Sequence, residues 1–273
     1  MITQVHREGP LVLMPMDLPD EEFEKFLSDR KKKYFPLERI RINVVYIAGL
    51  LEDIEYLIFR IDWCHELVNN RQLDLWKFSH LVGLDIKFFH ILIRSILDHI
   101  AQVIRYMGVK WGEIPDSFNG LFIWAQKLSN PLKKLGSDRL KEIILSAKWY
   151  EEIRAIRDNL IHYGASKFVK IEDNEIYFNI FKRTDRQERT GFWYEYESII
   201  KTLNPTLYHG DSVNLKLYIA HYYVKLLILL EDLGPLVIMR VGVAEGIFPV
   251  KYVIANLPII KKWIELLFKK VQA

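Results

Sequence analysis

Apolar residues return every three or four positions along most of the chain, a spacing that predicts helices. The first long one covers Glu38–Asn70, where RINVVYIAGLLEDIEYLIFRIDWCHELV is apolar on much of its circumference and the Asn69-Asn70 pair closes it. A second runs from Leu73 to Met107 with no proline and only Gly83 inside. Ser137 or Asp138 caps a third, which Gly164 closes, and a fourth spans about Val213–Leu233 before Gly234-Pro235. Between the second and third, Gly112, Pro115, Gly120, Pro131 and Gly136 mark Gly108–Ser137 as a connector with one short helix around SFNGLFIWAQKL.

The period changes once. KFVKIEDNEIYFNIF alternates apolar and polar residues around Asp173-Asn174 and predicts two short strands, with GFWYEYES as a candidate third. At the N-terminus, Pro10, Pro15 and Pro19 break residues 1–19 into an extended arm, and DLPDEEFEKFLSDRKKKY then predicts a short charged helix. A final helix begins near Pro258 with IIKKWIELLFKK. The expected fold is therefore mainly α: an antiparallel helical bundle with a small β-hairpin or sheet inserted at about 166–200. Residues 1–37 form the arm and short helix, 38–233 the bundle, and 234–273 a C-terminal extension.

Composition narrows the chemistry. Half of the 273 residues are hydrophobic and 27% are charged, the profile of an ordered globular chain. The 38 basic residues are nearly matched by 35 acidic ones, so any nucleic-acid site must be local. A single cysteine, Cys64, excludes an intrachain disulfide and a multi-cysteine zinc site, and it suits a reducing cytoplasm. The N-terminus lacks the pattern of a signal peptide, and VKLLILLEDL meets charge too soon to span a bilayer. No His-x-x-x-His pair, Walker loop, dinucleotide fingerprint or nucleophile elbow is present, so neither a metal nor a cofactor is expected.

Two helices carry polar residues in rows. In the third, Trp149, Ile153, Ile156, Leu160 and Tyr163 make an inward stripe, while Glu151, Arg154, Asp158 and His162 line the opposite side. Arg157 borders the stripe, and Ile161 falls where an apolar side chain needs cover. In the second helix, Lys87 precedes His90, Arg94, Asp98 and Gln102 at steps of four. Such strips are either solvent-facing rows with weak ion pairs or two walls of one groove.

Arg157-Asp158-Asn159-Leu160-Ile161-His162, near the end of a long bundle helix, resembles the Arg-x4-His signature of the HEPN superfamily, the higher eukaryote and prokaryote nucleotide-binding domains. ILIRSILDHIAQVI resembles the bacterial HEPN helix that brings polar residues, here Arg94 and Asp98, towards the motif; the similarity covers roughly residues 40–232. It implies a HEPN-like bundle that dimerises and cleaves RNA without metal, or a non-catalytic RNA-, nucleotide- or protein-binding module. A role as toxin or defence effector with a cognate antitoxin goes with the first. The implied catalytic residues are Arg157, His162 and Asp158, with Asn159, Arg94, Asp98 and Arg154 holding substrate. The strands after His162 and the extension from Gly234 depart from the compact form of that family.

Elementary chemistry agrees in outline. Imidazole, with a reference pKa of about 6.5, exchanges a proton near neutrality, and a guanidinium offers planar donors to phosphate. Five residues set Arg157 and His162 about 140° apart on a helix. A two-fold pair of copies would let one RNA strand meet an Arg from one chain and a His from the other. The rival for His162 is a plain helix-end position that favours the dipole. His65, His80, His99 and His221 lie among apolar residues and read as structural. The aromatic strand region, with Lys182, Arg183, Arg186 and Arg189, is either an ordinary packed sheet or a surface for bases.

Overall fold

The computed structural model describes residues 20–163, 169–179, 208–209, 212–241 and positions 262, 263 and 265; side chains are described except at 20–34, 155, 159–163, 179, 208–209 and 240–241. The chain is mainly helical. In order come α1 (Asp20–Asn69), α2 (Leu75–Met107), α3 (Phe118–Lys127), α4 (Pro131–Leu135), α5 (Asp138–Ser146), α6 (Tyr150–Tyr163), four short strands and α7 (Leu215–Val241). The expected short N-terminal helix and first long helix are one element, α1, with Pro36 inside it. Phe35, beside that proline, meets Tyr106 edge-on with ring centroids 5.9 Å apart and carries Arg39 over its face at 5.0 Å. These contacts anchor α1 to the end of α2 at the point where proline removes a helical hydrogen bond.

α2 is the centre of the bundle. It opens on Asp74, whose carboxylate accepts the Lys77 N–H at 2.8 Å, and most of its circumference is buried. α1 packs antiparallel to it, from Asn43 beside His99 to Arg60 beside Asp85. The Asn43 amide donates to Arg39 O, which leaves its carbonyl to accept from His99 Nδ1 at 2.7 Å. Asp85 is 1% exposed, and Arg60 donates to it through Nε, at 3.2 Å, and Nη2. Burial pushes the Asp85 carboxyl up, and the Arg60 bonds pull it back.

The expected third helix is broken in two. A 3-10 turn at Ala147–Trp149 separates α5 from α6, and the inward row passes from Leu140, Ile144 and Ala147 to Trp149, Ile153 and Ile156. Gly136, at φ 74°, ends α4 in the left-handed conformation that glycine adopts without strain. α7 runs on through Pro235, past the expected stop, because Leu233 and Val237 on either side stay in the core.

The strands form one antiparallel sheet in the order β1 (Val169–Glu172), β2 (Glu175–Asn179), β4 (Ser212–Asn214), β3 (Tyr208–His209). Asp173 and Asn174 both take positive φ, 49° and 59°, the two-residue hairpin turn that their chemistry favours. Val169, Ile176 and Phe178 face the core, and Phe178 meets Tyr218 of α7 edge-on at 5.1 Å. Ser79 of α2 donates to Val169 O at 3.0 Å, and the Asn69 amide reaches Asn174 Oδ1 at 2.8 Å. GFWYEYES lies outside the described residues, as do the N-terminal arm and most of the final helix. Among the described residues no helix is long and apolar enough to cross a membrane.

Asp85 is buried while its partner Arg60 is half-exposed, so the cost of breaking this pair falls on the stranded carboxyl group. Arg60→Ala leaves Asp85 alone in the core and should lower stability by about 2 kcal/mol, while Arg60→Met with Asp85→Leu stays within about 1 kcal/mol of wild type. Urea unfolding checks this; equal losses in the single and double variants contradict it.

Candidate functional site

The polar rows of α2 and α6 meet. Arg94 and Asp98 on α2 pair at 3.5 Å, and the second Asp98 oxygen accepts the backbone N–H of Phe118 at 2.9 Å, capping α3 from outside. From α6, Arg154 donates through Nη1 to Asn119 Oδ1 of α3 at 2.6 Å and lies 4.0 Å from Asp158. Arg157 Nη2 lies 3.6 Å from the other Asp158 oxygen. Asp158 therefore holds two guanidiniums, one on each side.

Tyr150 stands inside this ring of charges. It is 2% exposed, its edge meets Phe118 at 5.1 Å, and its hydroxyl is buried with no hydrogen-bond partner among the described residues. Burial pushes its pKa up, Arg94 and Arg154 pull it down, and Asp98 and Asp158 raise it. Arg157 is 21% exposed, and its Nη1 is likewise buried without a partner. Three guanidiniums, Arg94, Arg154 and Arg157, face two carboxylates, Asp98 and Asp158, so the cluster carries a net +1 (3 − 2). Buried donors without acceptors cost about 1–3 kcal/mol each, and an anionic oxygen is the group that would satisfy them.

The lower end of the cluster is closed by His90, which is 0% exposed. Its Nδ1–H donates to Ile86 O at 2.7 Å, so Nε2 accepts from the Tyr218 hydroxyl, also at 2.7 Å. Burial first, and Arg157 besides, pushes its pKa down to about 4, against the pull of the Ile86 bond. His90 is a neutral strut between α2 and α7. The strip from Lys87 to Gln102 is accordingly a seam between helices: Gln102 donates to Asp116 O at 2.7 Å, His90 is buried, and Lys87, Arg94, Asp98 and Gln102 are half-buried.

Of the residues named from sequence, Arg94, Asp98, Arg154, Arg157 and Asp158 are brought together. Asn159 and His162 lie in the last turns of α6, and their side chains, like that of Ile161, fall outside the described residues. Tyr150 and Asn119 were missed. Tyr150 had a signal, since it precedes Arg154 and Asp158 at steps of four; Asn119 had none, because only α3 docking brings it near. Among the other histidines, His65 is buried and His80 is exposed, with its ring bonded to Trp76 O at 2.9 Å. In the strand region Phe178 is core, Tyr177 carries Lys170 over its ring at 5.9 Å, and Lys182, Arg183, Arg186 and Arg189 lie outside the described residues. Among the described residues no group of three or more His, Cys, Asp or Glu could hold a metal ion.

Comparison with models of protein families, with curated proteins and with solved structures finds no match.

The state of His90 sets a pH response. Its folded pKa, about 4, lies below the reference of about 6.5, so the unfolded chain takes up a proton that the folded one refuses. The stability it contributes is present above about pH 6.5 and drains away as pH falls towards about 4. Urea midpoints across that range should fall less steeply for His90→Gln than for wild type; parallel slopes contradict the assignment.

Proposed function

We propose that this chain is a metal-independent endoribonuclease of the HEPN type, working as a pair of copies. The observation that carries this reading is the cluster itself: Arg154 and Arg157, on the helix that ends in the Arg157–His162 motif, stand with Arg94 of α2, and two buried donors there, the Tyr150 hydroxyl and Arg157 Nη1, have no acceptor among the described residues. A phosphodiester carries one negative charge, which matches the net charge of the cluster. Its oxygens would take Arg157 Nη1 and the Tyr150 hydroxyl, with Arg94 and Arg154 beside them.

In the reaction the ribose 2′-oxygen attacks phosphorus and loses its proton to a base, and the 5′-oxygen leaves with a proton from an acid. The products are a 2′,3′-cyclic phosphate and a 5′-hydroxyl. His162 is the proton carrier in this reading, and Asp158, one turn earlier, orients it. Arg157 stabilises the charge that grows on the phosphorane. About 140° of helix separates Arg157 from His162, so the composite site takes the two groups from different copies. A toxin or defence role, with a protein antitoxin as partner, belongs to the same reading.

One observation favours a second reading, a non-catalytic module that binds RNA or a nucleotide. Asp158 is held between Arg154 and Arg157, Arg154 is bonded to Asn119, and Asp98 caps α3. That is a fixed cradle for an anion.

RNA incubated with the protein in chelator separates the two. Cleavage by wild type should fall about 100-fold or more in both His162→Ala and Arg157→Ala; equal activity in all three removes the ribonuclease reading. Binding without turnover, weakened by Arg157→Ala but little by His162→Ala, supports the module.

A further inference from the structure

α1 has two apolar faces, and among the described residues only one is covered. The covered row runs through Ile40, Val44, Ile47, Leu51, Ile54 and Ile58 into the core. On the opposite side Ile42, Gly49, Tyr56 and Trp63 recur at steps of seven, with Val45 and Phe59 between them. Tyr56 is 72% exposed, Val45 64%, Phe59 57% and Trp63 51%. A seven-residue repeat of large apolar side chains is the spacing of a helix seam that faces another helix. Beside it, Leu84, Phe88 and Ile91 of α2 are exposed as well. Scaled by these exposures, side chains of about 150–250 Å² each give the combined face roughly 800 Å². That exceeds the few hundred Å² usual on a monomer and matches the roughly 800 Å² per partner of a stable interface.

Gly49 is the telling position. It sits mid-helix on the exposed side, where glycine costs about 1 kcal/mol relative to alanine, and a Cβ there would meet nothing within 4 Å in the single chain. Nothing inside the chain calls for the missing side chain; a bulky group arriving from outside would.

We propose that this face pairs with a second copy of the same chain, α1 against α1, antiparallel about a two-fold axis at Tyr56. Residues equally far from Tyr56 then meet. Trp63, seven after, fills the gap over Gly49, seven before; Arg60, four after, meets Glu52, four before. Arg60 uses Nε and Nη2 on its own Asp85, which leaves Nη1 for Glu52 of the second copy. Charge favours this register over one at Glu52 and over a parallel pair. An axis at Glu52 would set that carboxylate against its own copy, and a parallel pair in register would do the same.

Trp263 does not supply the cover. It is buried with Lys216 Nζ 5.5 Å over its ring, and Lys216 is bonded to Asp62, about 120° round α1 from Tyr56 at 100° per residue. The pairing is also separate from the ribonuclease reading. Arg94 lies six residues after Phe88, about 120° round α2, so the charged cluster is turned away from this face. A chain using both two-fold contacts would build a tetramer.

The test is the molar mass of the full chain by light scattering or sedimentation, at about 50 µM, a concentration at which an interface of this size is populated. The expected result is a multimer whose mass is halved in Gly49→Leu and in Tyr56→Lys, each weakening association about 30-fold or more. Gly49→Leu has room in the single chain and a better helix propensity, so its circular dichroism should match wild type, and its urea midpoint should stay at or above wild type when both are unfolded at a dilution where wild type is dissociated. A single-chain mass for wild type, or a multimer whose mass neither variant changes, overturns the proposal. Mass is read without RNA, so failure here is distinct from failure of the cleavage assay.

Discussion

The packing of this chain depends on one constraint: α2 is buried along most of its circumference, so the polar groups it turns inward need partners in a low-dielectric interior. Asp85 finds Arg60 on α1, His90 finds Tyr218 on α7, and Asp98 finds the first N–H of α3. Each is a directional contact laid over non-directional apolar burial. Hydrophobic area alone would let α1, α3 and α7 slide along or rotate about α2 at little cost. The three polar contacts remove that freedom, because a shift of one helical turn would strand a carboxylate or an imidazole without its bond.

That constraint also accounts for the candidate site. α3 docks where Asp98 caps it, and this docking brings Asn119 to Arg154 and sets Phe118 against Tyr150. α6 follows the 3-10 turn, and its Arg154, Arg157 and Asp158 close over the same place. Asp98, Arg154 and Asn119, which hold α3 against α2 and α6, are thus also groups that line the cluster. Substituting them disturbs packing and anion binding together, so binding, stability and turnover have to be measured side by side on each variant. His90 beneath the cluster is the exception. It is wholly enclosed, and its role is to hold α2 to α7.

α1 serves two environments. Its inward row belongs to the core, and its outward row repeats every seven residues around a glycine with open space at its Cβ. A helix that is apolar nearly all round is normally buried nearly all round. The described residues of the bundle cover one side only, and that mismatch between what α1 offers and what they cover is the basis for proposing a second copy.

Much of the fold was legible in the sequence. The three- and four-residue spacing marked α2, α6 and the central part of α1, and Asp173-Asn174 between alternating segments marked the hairpin, because these patterns record local geometry. The inward stripe of Trp149, Ile153 and Ile156 was legible for the same reason. The rows of Arg94 with Asp98 and of Arg154 with Asp158 could be read one helix at a time. Their meeting could not, because it depends on how α3 and α6 sit against α2. The stretch before Glu38 and the Gly234-Pro235 pair read as breaks, yet tertiary contacts on both sides carried each helix through, and an uninterrupted third helix proved to be two. By itself the sequence determined which segments are helix or strand and which face of each is apolar, since both follow from neighbours a few residues apart. Only the tertiary structure decided which polar residues share a site, which histidine is buried and which apolar face stays open, since those are properties of groups distant along the chain that meet only when the helices pack.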